Sequence, residues 1–245
     1  MQQELRQWVQ SPVGQRVFAL ERKLVNEALQ RVFGWQILQI GQWGDAEGLL
    51  TEARTQRRGL VTSGIVSPDS SLLAIRSRAD QLAIASDSVD AVLLPHTLEH
   101  EPDPHEVLRE VERILSGDGQ VIVLGFRPFS GWGARHILAR DGYPPGTERL
   151  ISEWRIRDWL KLLGFEVTDA RRYLFTWPWG SAAPRGQRFF ETLGERAWPL
   201  FAGAYLIKAH KRVYALPPIR PRWRARPKVV GGLIKPTTRI VDRQR

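Results

Sequence analysis

The sequence predicts an α/β protein whose core is a single, mainly parallel sheet. Short apolar runs of strand length alternate with amphipathic segments of helix length along most of the 245 residues, a pattern typical of βαβ units. The clearest unit spans Val89 to Phe126, where an apolar strand, a polar turn, a capped helix and a second strand follow one another. This length suits one domain with appendages. We therefore expect seven strands in one sheet, the last of them antiparallel.

The N-terminal half supplies a helix and three strands. Ser11-Pro12 is a typical helix start, and apolar residues then recur on one face as far as Phe33. The first strand is predicted at Trp35 to Ile40, before a glycine turn. A helix is predicted at Asp45 to Arg57. The second strand is predicted at Gly59 to Ser63 and the third at Leu72 to Ile75.

The centre of the chain contains the best-defined helix. It lies between the fourth strand, predicted at Val89 to Leu94, and the fifth, predicted at Gln120 to Gly125. Asp103 is a favourable N-cap and is followed by Pro104 at the first helical position. A glycine that can adopt the left-handed conformation, Gly117, is expected to end this helix.

The C-terminal part completes the predicted sheet. A helix starts at Ser152 and ends at Gly164, and the sixth strand is predicted at Phe165 to Phe175. The seventh strand is predicted at Ala204 to Val213. An insertion rich in Trp, Pro and Gly, Trp177 to Pro199, separates the last two strands.

Composition excludes several kinds of site. The chain has no cysteine, so it has neither disulfides nor thiolate metal ligands, and its five histidines lack metal-ligand spacing. No metal is expected. The N-terminus lacks an apolar signal-peptide core, and the longest nearly apolar run, Ala197 to Ile207, is about half of a roughly 20-residue membrane span. We expect a cytoplasmic protein without a transmembrane segment.

The positive charge is concentrated at the C-terminus. Lys208 to Arg245 contain 12 basic residues and one acidic residue, whereas the first 207 residues contain 24 basic and 25 acidic ones. Hydrophobic periodicity stops at Pro217, so the tail is expected to be disordered. It could contact nucleic acid or an anionic surface non-specifically, or stay solvated without a partner. The expected organisation is an N-terminal helical cap (1–34), one domain (35–215) and the tail (216–245).

A spaced set of residues in the central unit resembles a known family. It comprises Leu98-Glu99-His100, Asp103-Pro104, Glu110, Arg113, Leu115, Gly117 and Gly119. The spacing is similar to that of the "methyltransferase type 11" group of class I S-adenosylmethionine-dependent methyltransferases. Within that superfamily, the chain resembles a proteobacterial group. The resemblance implies a Rossmann-like seven-stranded methyltransferase sheet, S-adenosyl-L-methionine as cofactor, and an acceptor that the sequence does not identify.

The resemblance places the cofactor on three elements, and each departs from the family pattern. In the turn after the first strand, Gly41 matches, but Gln39 replaces an acidic residue and Trp43 replaces a glycine. After the second strand, Ser63 stands where the family usually has Asp or Glu. After the third, Asp80 matches one acidic position. The cofactor contacts implied by the resemblance are Gly41, Gln42, Trp43, Ser63, Ala79, Asp80, Pro95 and His96.

The residues leave several alternatives open. The indole of Trp43 could stack on a ligand or fill the ligand's place. His96 or His100 could act as a base, or each could fix its loop by hydrogen bonds. No catalytic residue is assigned. Three functions are compatible with the sequence: a methyltransferase, a non-catalytic domain that keeps the fold without the cofactor, and a nucleic-acid-associated module that uses the tail.

Overall fold

The computed structural model describes residues 2–64, 71–140, 142–175, 178 and 202–212. These residues form one seven-stranded sheet and six α-helices. The strands are β1 (Phe33–Ile40), β2 (Arg54–Thr62), β3 (Leu73–Arg76), β4 (Val89–Pro95), β5 (Leu115–Phe126), β6 (Phe165–Tyr173) and β7 (Ala204–Lys211). The helices are α1 (Gln2–Gln10), α2 (Pro12–Leu29), α3 (Ala46–Leu50), α4 (Pro104–Ile114), α5 (Gly131–Leu138) and α6 (Glu153–Leu162).

The sheet has the order β3-β2-β1-β4-β5-β7-β6. β1 to β6 run in one direction, and β7 lies antiparallel between β5 and β6. The predicted fold class is therefore confirmed, including the antiparallel last strand. The strand order reverses between β1 and β4, and in open α/β sheets ligands bind at the carboxyl ends of the strands at such a point.

Two apolar layers cover the sheet because adjacent strand residues point to opposite faces. Ile37 and Leu93 pack with α1, α2 and α3 on one face. Leu38 and Val92 pack with α4 and α6 on the other. The fourth and fifth strands are buried on both faces, as expected for the centre of a parallel sheet.

The predicted helix starts are confirmed by their caps. Ser11 Oγ accepts a hydrogen bond from the amide of Gly14 at 3.1 Å, at the start of α2. Asp103 Oδ1 accepts the amides of the second and third residues of α4 at 3.0 and 3.1 Å. Ser152 Oγ caps α6. The predicted stop at Gly164 is also confirmed, since this residue has φ +82°.

The predicted helix at Asp45 to Arg57 starts where expected, with Asp45 as its N-cap, but its predicted length is wrong. Only the five residues of α3 are helical, and β2 already begins at Arg54, opposite Phe33. The reason is the length of β1, which starts at Phe33 instead of Trp35 and so gives β2 a longer partner. For the same reason α2 ends at Leu29 and does not extend to Phe33.

The predicted helix end at Gly117 is also wrong. α4 ends at Ile114, and Leu115 is already extended and paired with Val89 in the sheet. Gly117 lies within β5, so the parallel pairing with β4 overrides the glycine turn. Helices α1 and α5 were not predicted. The insertion Trp177 to Pro199, except Pro178, the predicted strand end at Val213 and the predicted tail at 216–245 lie outside the described residues.

Candidate functional site

The turn after β1 and the loop after β4 are in direct contact. Gly41 follows β1 with φ +88°, and a Cβ atom there would lie 2.7 Å from Thr97 Oγ1. The hydroxyl of Thr97 in turn donates a hydrogen bond to the carbonyl of Ile40 at 2.5 Å. Only glycine combines this backbone conformation with this close approach. The two strand ends thus form one crevice edge.

Gln39 fixes the shape of this turn. Its side chain is fully buried, and Nε2 donates to the carbonyl of Gly41 at 3.0 Å. Its Oε1 is buried with no hydrogen-bond partner among the described residues. The amide that replaces the family's acidic residue therefore holds the turn without adding a negative charge.

The indole of Trp43 points into the protein interior. It is 1% exposed, and its Nε1 donates to Glu21 Oε2 of α2 at 2.6 Å. Its ring centroid lies 4.3 Å from that of His96 and 5.9 Å from that of Trp8 of α1. Trp43 therefore joins the turn to the N-terminal helices. Gly41, Gln42 and Gly44 are the half-buried residues of the same turn.

His96 lies between two carboxyl groups and is completely buried. Its Nε2 is 2.9 Å from Glu21 Oε1, and its Nδ1 is 3.0 Å from Glu99 Oε2. Burial alone lowers the pKa of His96, but the two carboxyl groups outweigh it and raise that pKa to about 9. The ring is therefore an imidazolium at neutral pH and donates from both nitrogens. It has no lone pair with which to act as a base.

Further donors complete this Glu21–His96–Glu99 cluster. The hydroxyl of Tyr173 in β6 donates to Glu21 Oε1 at 2.9 Å. The amide of Phe126 at the end of β5 donates to Glu99 Oε1 at 2.6 Å. Burial raises the pKa of Glu99 and raises that of Tyr173 well above its usual range. The cluster thus links α2, β5, β6 and the loop after β4 in one buried network.

His100 differs from His96 in keeping an unpaired nitrogen. Its Nδ1 lies 2.8 Å from the carbonyl of Gly146, so the proton is on Nδ1. Its Nε2 is buried and has no partner among the described residues, and the same holds for Thr147 Oγ1. Burial is the main cause that lowers the pKa of His100. This histidine is therefore neutral near pH 7, with the lone pair on Nε2.

The remaining predicted contacts lie along the same edge of the sheet. Ser63 follows β2 and is exposed. Asp80 is bound by the guanidinium of Arg78 at 2.8 and 2.5 Å, and this hydrogen bonding lowers the pKa of Asp80. Ala79 and Pro95 are buried. The structure brings Gly41, Trp43 and His96 together, whereas Ser63 follows the end of β2 and Asp80 lies in the segment after β3.

Sequence reasoning missed the carboxyl group of Glu21. A signal was present, because Val17, Glu21 and Val25 recur every fourth residue and share one face of α2, and all three are fully or almost fully buried. An acidic residue on the apolar face of a helix indicates a buried partner. The described residues contain no group of three or more His, Asp and Glu side chains that could hold a metal ion. They also contain no helix that is long and apolar enough to cross a membrane.

Comparison with known proteins gives a family match over part of the chain. A family described as a methyltransferase domain matches residues 47–123. The Escherichia coli protein YafS is 34% identical over 164 residues, which are 66% of this chain and 64% of YafS. A ubiquinone biosynthesis O-methyltransferase of Pseudomonas aeruginosa is 30% identical over 160 residues, 56% of this chain and 66% of that enzyme. The chain thus spans slightly less than two thirds of each of these relatives.

Solved structures show the same fold. One is an S-adenosylmethionine-dependent methyltransferase from Thermotoga maritima. Its superposition covers 80% of this chain and 90% of the Thermotoga chain, with a TM-score of 0.59 and 19% sequence identity. At this identity the likeness concerns the fold, and the chemistry must be argued from the residues at the crevice.

Proposed function

We propose that this chain is a class I S-adenosylmethionine-dependent methyltransferase, which binds S-adenosyl-L-methionine and transfers its methyl group to an acceptor. The observation that supports this best is the crevice edge at Gly41, where the strand order reverses and a left-handed glycine brings the backbone against Thr97. Such a turn lets a ligand approach the main chain closely. A cytoplasmic location stays a prediction from the sequence.

The residues at this edge fit the cofactor with fewer charged contacts than the family pattern has. The backbone of Gly41 and Gln42 would hold its amino-acid end, and the exposed hydroxyl of Ser63 would meet its ribose. Trp43 is turned inward to Glu21, which leaves the half-buried side of the turn to small residues. Because a lost charge-assisted hydrogen bond costs roughly ten- to a hundredfold in affinity, we expect a Kd on the order of tens to hundreds of micromolar.

The bound cofactor would supply an electrophilic methyl group on a sulfonium centre. Transfer then needs an oriented nucleophile and, where that nucleophile is protonated, a base. His96 is excluded as the base because both of its ring nitrogens donate to carboxyl groups. His100, neutral and with an unpaired Nε2, is the histidine beside β4 that can accept a proton. This favours an acceptor whose nucleophilic atom must lose a proton.

Calorimetry with S-adenosylhomocysteine tests the proposal directly. We expect measurable heat at about 2 mM ligand, a concentration well above the expected Kd. The variant Ser63→Asp restores a carboxylate at the end of β2 and should tighten binding about tenfold. Ser88→Asp adds the same charge just before β4, at the opposite edge, and should leave the affinity unchanged. An equal gain in both variants would contradict a ribose contact at Ser63.

The alternative is a non-catalytic domain, and the burial of Trp43 favours it. The indole of Trp43 and the imidazolium of His96 pack together beneath α1 and α2, in the way that residues of a hydrophobic core do. Absence of heat and of a thermal shift at about 2 mM ligand in wild type and in Ser63→Asp would establish this alternative over methyl transfer.

A further inference from the structure

The first half of β1 exposes two aromatic side chains on the protein surface, and the first half of β2 places an arginine beside each of them. Phe33 is 66% exposed and Trp35 is 53% exposed. The guanidinium of Arg54 lies 5.7 Å from the ring centroid of Phe33, and that of Arg57 lies 5.5 Å from that of Trp35. We call these four residues the aromatic–arginine strip. They lie at the beginning of the strands, whereas Gly41 and Ser63 follow their carboxyl ends.

The strip is positively charged within a nearly neutral domain. Residues 31–36 and 54–58 contain four arginines and no carboxylate. Arg54 and Arg57 have no ion pair among the described residues. The nearby carboxylate of Asp90 accepts the backbone amides of Trp35 and Gln36 at 2.6 and 2.9 Å. That carboxylate anchors the strand and offsets only one of the four arginine charges, so the segments around the strip keep a net positive charge.

The two rings are held at a fixed spacing. Phe33 and Trp35 are two residues apart on one strand, so their side chains leave the same face about 7 Å apart. Asp90 fixes the backbone here, because its carboxylate accepts the amides of Trp35 and Gln36. It also approaches Gly34 so closely that a Cβ there would lie 2.5 Å from Asp90 Cβ. A preorganised pair of rings loses little conformational entropy when a ligand stacks on it.

We propose that the aromatic–arginine strip binds single-stranded nucleic acid, with bases stacked on Phe33 and Trp35 and phosphates held by Arg54 and Arg57. Rigid aromatic rings beside cationic groups are the features with which proteins bind single strands without sequence preference. Like charge disfavours a second copy of the strip as the occupant. A bilayer is disfavoured because guanidinium groups lie over both rings and interrupt the apolar surface.

The test measures binding of a fluorescein-labelled 15-mer of deoxyadenylate to the full-length protein at about 50 mM salt. Trp35→Ala and Phe33→Ala should each weaken binding by about fivefold or more. The matched control is Trp154→Ala, since Trp154 on α6 is 74% exposed and has no part in the strip. All three side chains are exposed, so the fold should survive, which thermal melting confirms.

Two comparisons separate base stacking from attraction by the basic tail. An abasic oligonucleotide of the same length should bind all variants alike, because it offers phosphates but no bases that could stack on Phe33 or Trp35. Equal Kd values for Trp35→Ala and Trp154→Ala on the 15-mer would overturn the proposal. A second result would also overturn it. If Trp35→Ala reduces sedimentation with phosphatidylglycerol vesicles but leaves oligonucleotide binding unchanged, the strip contacts membranes instead.

Discussion

Glu21 Oε1 and His96 Nε2 lie 2.9 Å apart although 75 residues separate them in the chain. Both side chains are fully buried. The contact ties the second helix to the loop that follows the fourth strand, and the indole of Trp43 binds the other carboxylate oxygen. A buried ion pair contributes little net stability relative to an apolar pair, but removal of one partner leaves a costly buried charge. Substitution of Glu21 should therefore lower the free energy of unfolding far more than substitution of an exposed glutamate on the same helix.

The first prediction compares two glutamates of α2. Glu21→Ala should lower the free energy of unfolding by about 3–5 kcal/mol, because it leaves the imidazolium of His96 without one of its carboxylates. Glu27→Ala removes a 39% exposed side chain paired with Lys23 and Arg171 and should cost less than about 1 kcal/mol. Urea denaturation measures both. Similar losses in the two variants would show that Glu21 contributes no more than a surface charge.

The second prediction concerns pH. The pKa of folded His96 is raised from 6.5 to about 9. Since the folded value lies above the unfolded one, the stabilisation is fully present below pH 6.5 and is lost as the pH rises towards about 9. Its size is on the order of 3 kcal/mol. Tyr173 does not contribute in this window, because its pKa is raised well above its usual range.

The control for this pH dependence is His96→Asn. Asparagine tolerates the left-handed backbone of this position, φ +57°, and does not titrate. The difference in unfolding free energy between wild type and variant should shrink between pH 6.5 and 9. A constant difference across that range would contradict a protonated His96.

The third prediction uses two glycines with similar backbones. Gly164→Ala, at φ +82° with open space around it, should cost only the left-handed strain of about 1–2 kcal/mol. Gly41→Ala, at φ +88°, adds a clash with Thr97 and should be more destabilising. It should also abolish binding of S-adenosylhomocysteine in calorimetry, whereas Gly164→Ala binds normally. Intact binding in a folded Gly41→Ala variant would remove the turn from the ligand site.

The fourth prediction concerns the tail. A chain that ends at Leu216 loses nine basic residues and Asp242. It should lose most of its retention on heparin at about 50 mM salt, because that attraction is electrostatic and non-specific. The melting temperature should change little. If the shortened protein is retained equally well, the tail is not the element that binds polyanions; a large loss of melting temperature would place part of it in the fold.

The structure corrects the charge assigned to that tail. From the sequence, Lys208 and Lys211 belong to the basic C-terminal segment. Both lie in β7 and are 9% and 8% exposed. Lys208 donates to the carbonyl of Ala28 at 2.9 Å, and Lys211 donates to that of Leu115 at 2.9 Å. These lysines bind carbonyl groups at the ends of α2 and α4, and so do not add to a polyanion-binding surface.

The helix starts and the order of the central strands were predictable because their signals are local. The caps at Ser11, Asp103 and Ser152 depend on residues within three positions, and the order of the central strands follows from their apolar runs. Part of the family-like spacing also has a structural explanation. Arg113 binds Glu110 and the carbonyls of Leu82 and Ile84 at 3.0 and 2.9 Å, and so fixes the segment before β4.

The site itself was only partly predictable because its contacts are long-range. Gly41 and His96 could be placed at strand ends from their positions in the sequence. The direction of the Trp43 side chain depends on Glu21, which no local pattern connects to it. The state of each histidine depends on such partners as well. Glu21 and Glu99 raise the pKa of His96 and keep it protonated, whereas the carbonyl of Gly146 accepts the proton on Nδ1 of His100 and leaves the lone pair on Nε2.

The position of β7 has a consequence for synthesis on the ribosome. β7 is the last of the described strands in sequence, yet it lies between β5 and β6 in the sheet. Within the described sheet, β6 pairs with β7 and with no other strand, so it has no hydrogen-bonded neighbour until the last strand has left the exit tunnel. Until then β5 is an unpaired edge strand of the nascent chain. We expect chaperones to bind the nascent chain most readily at this stage.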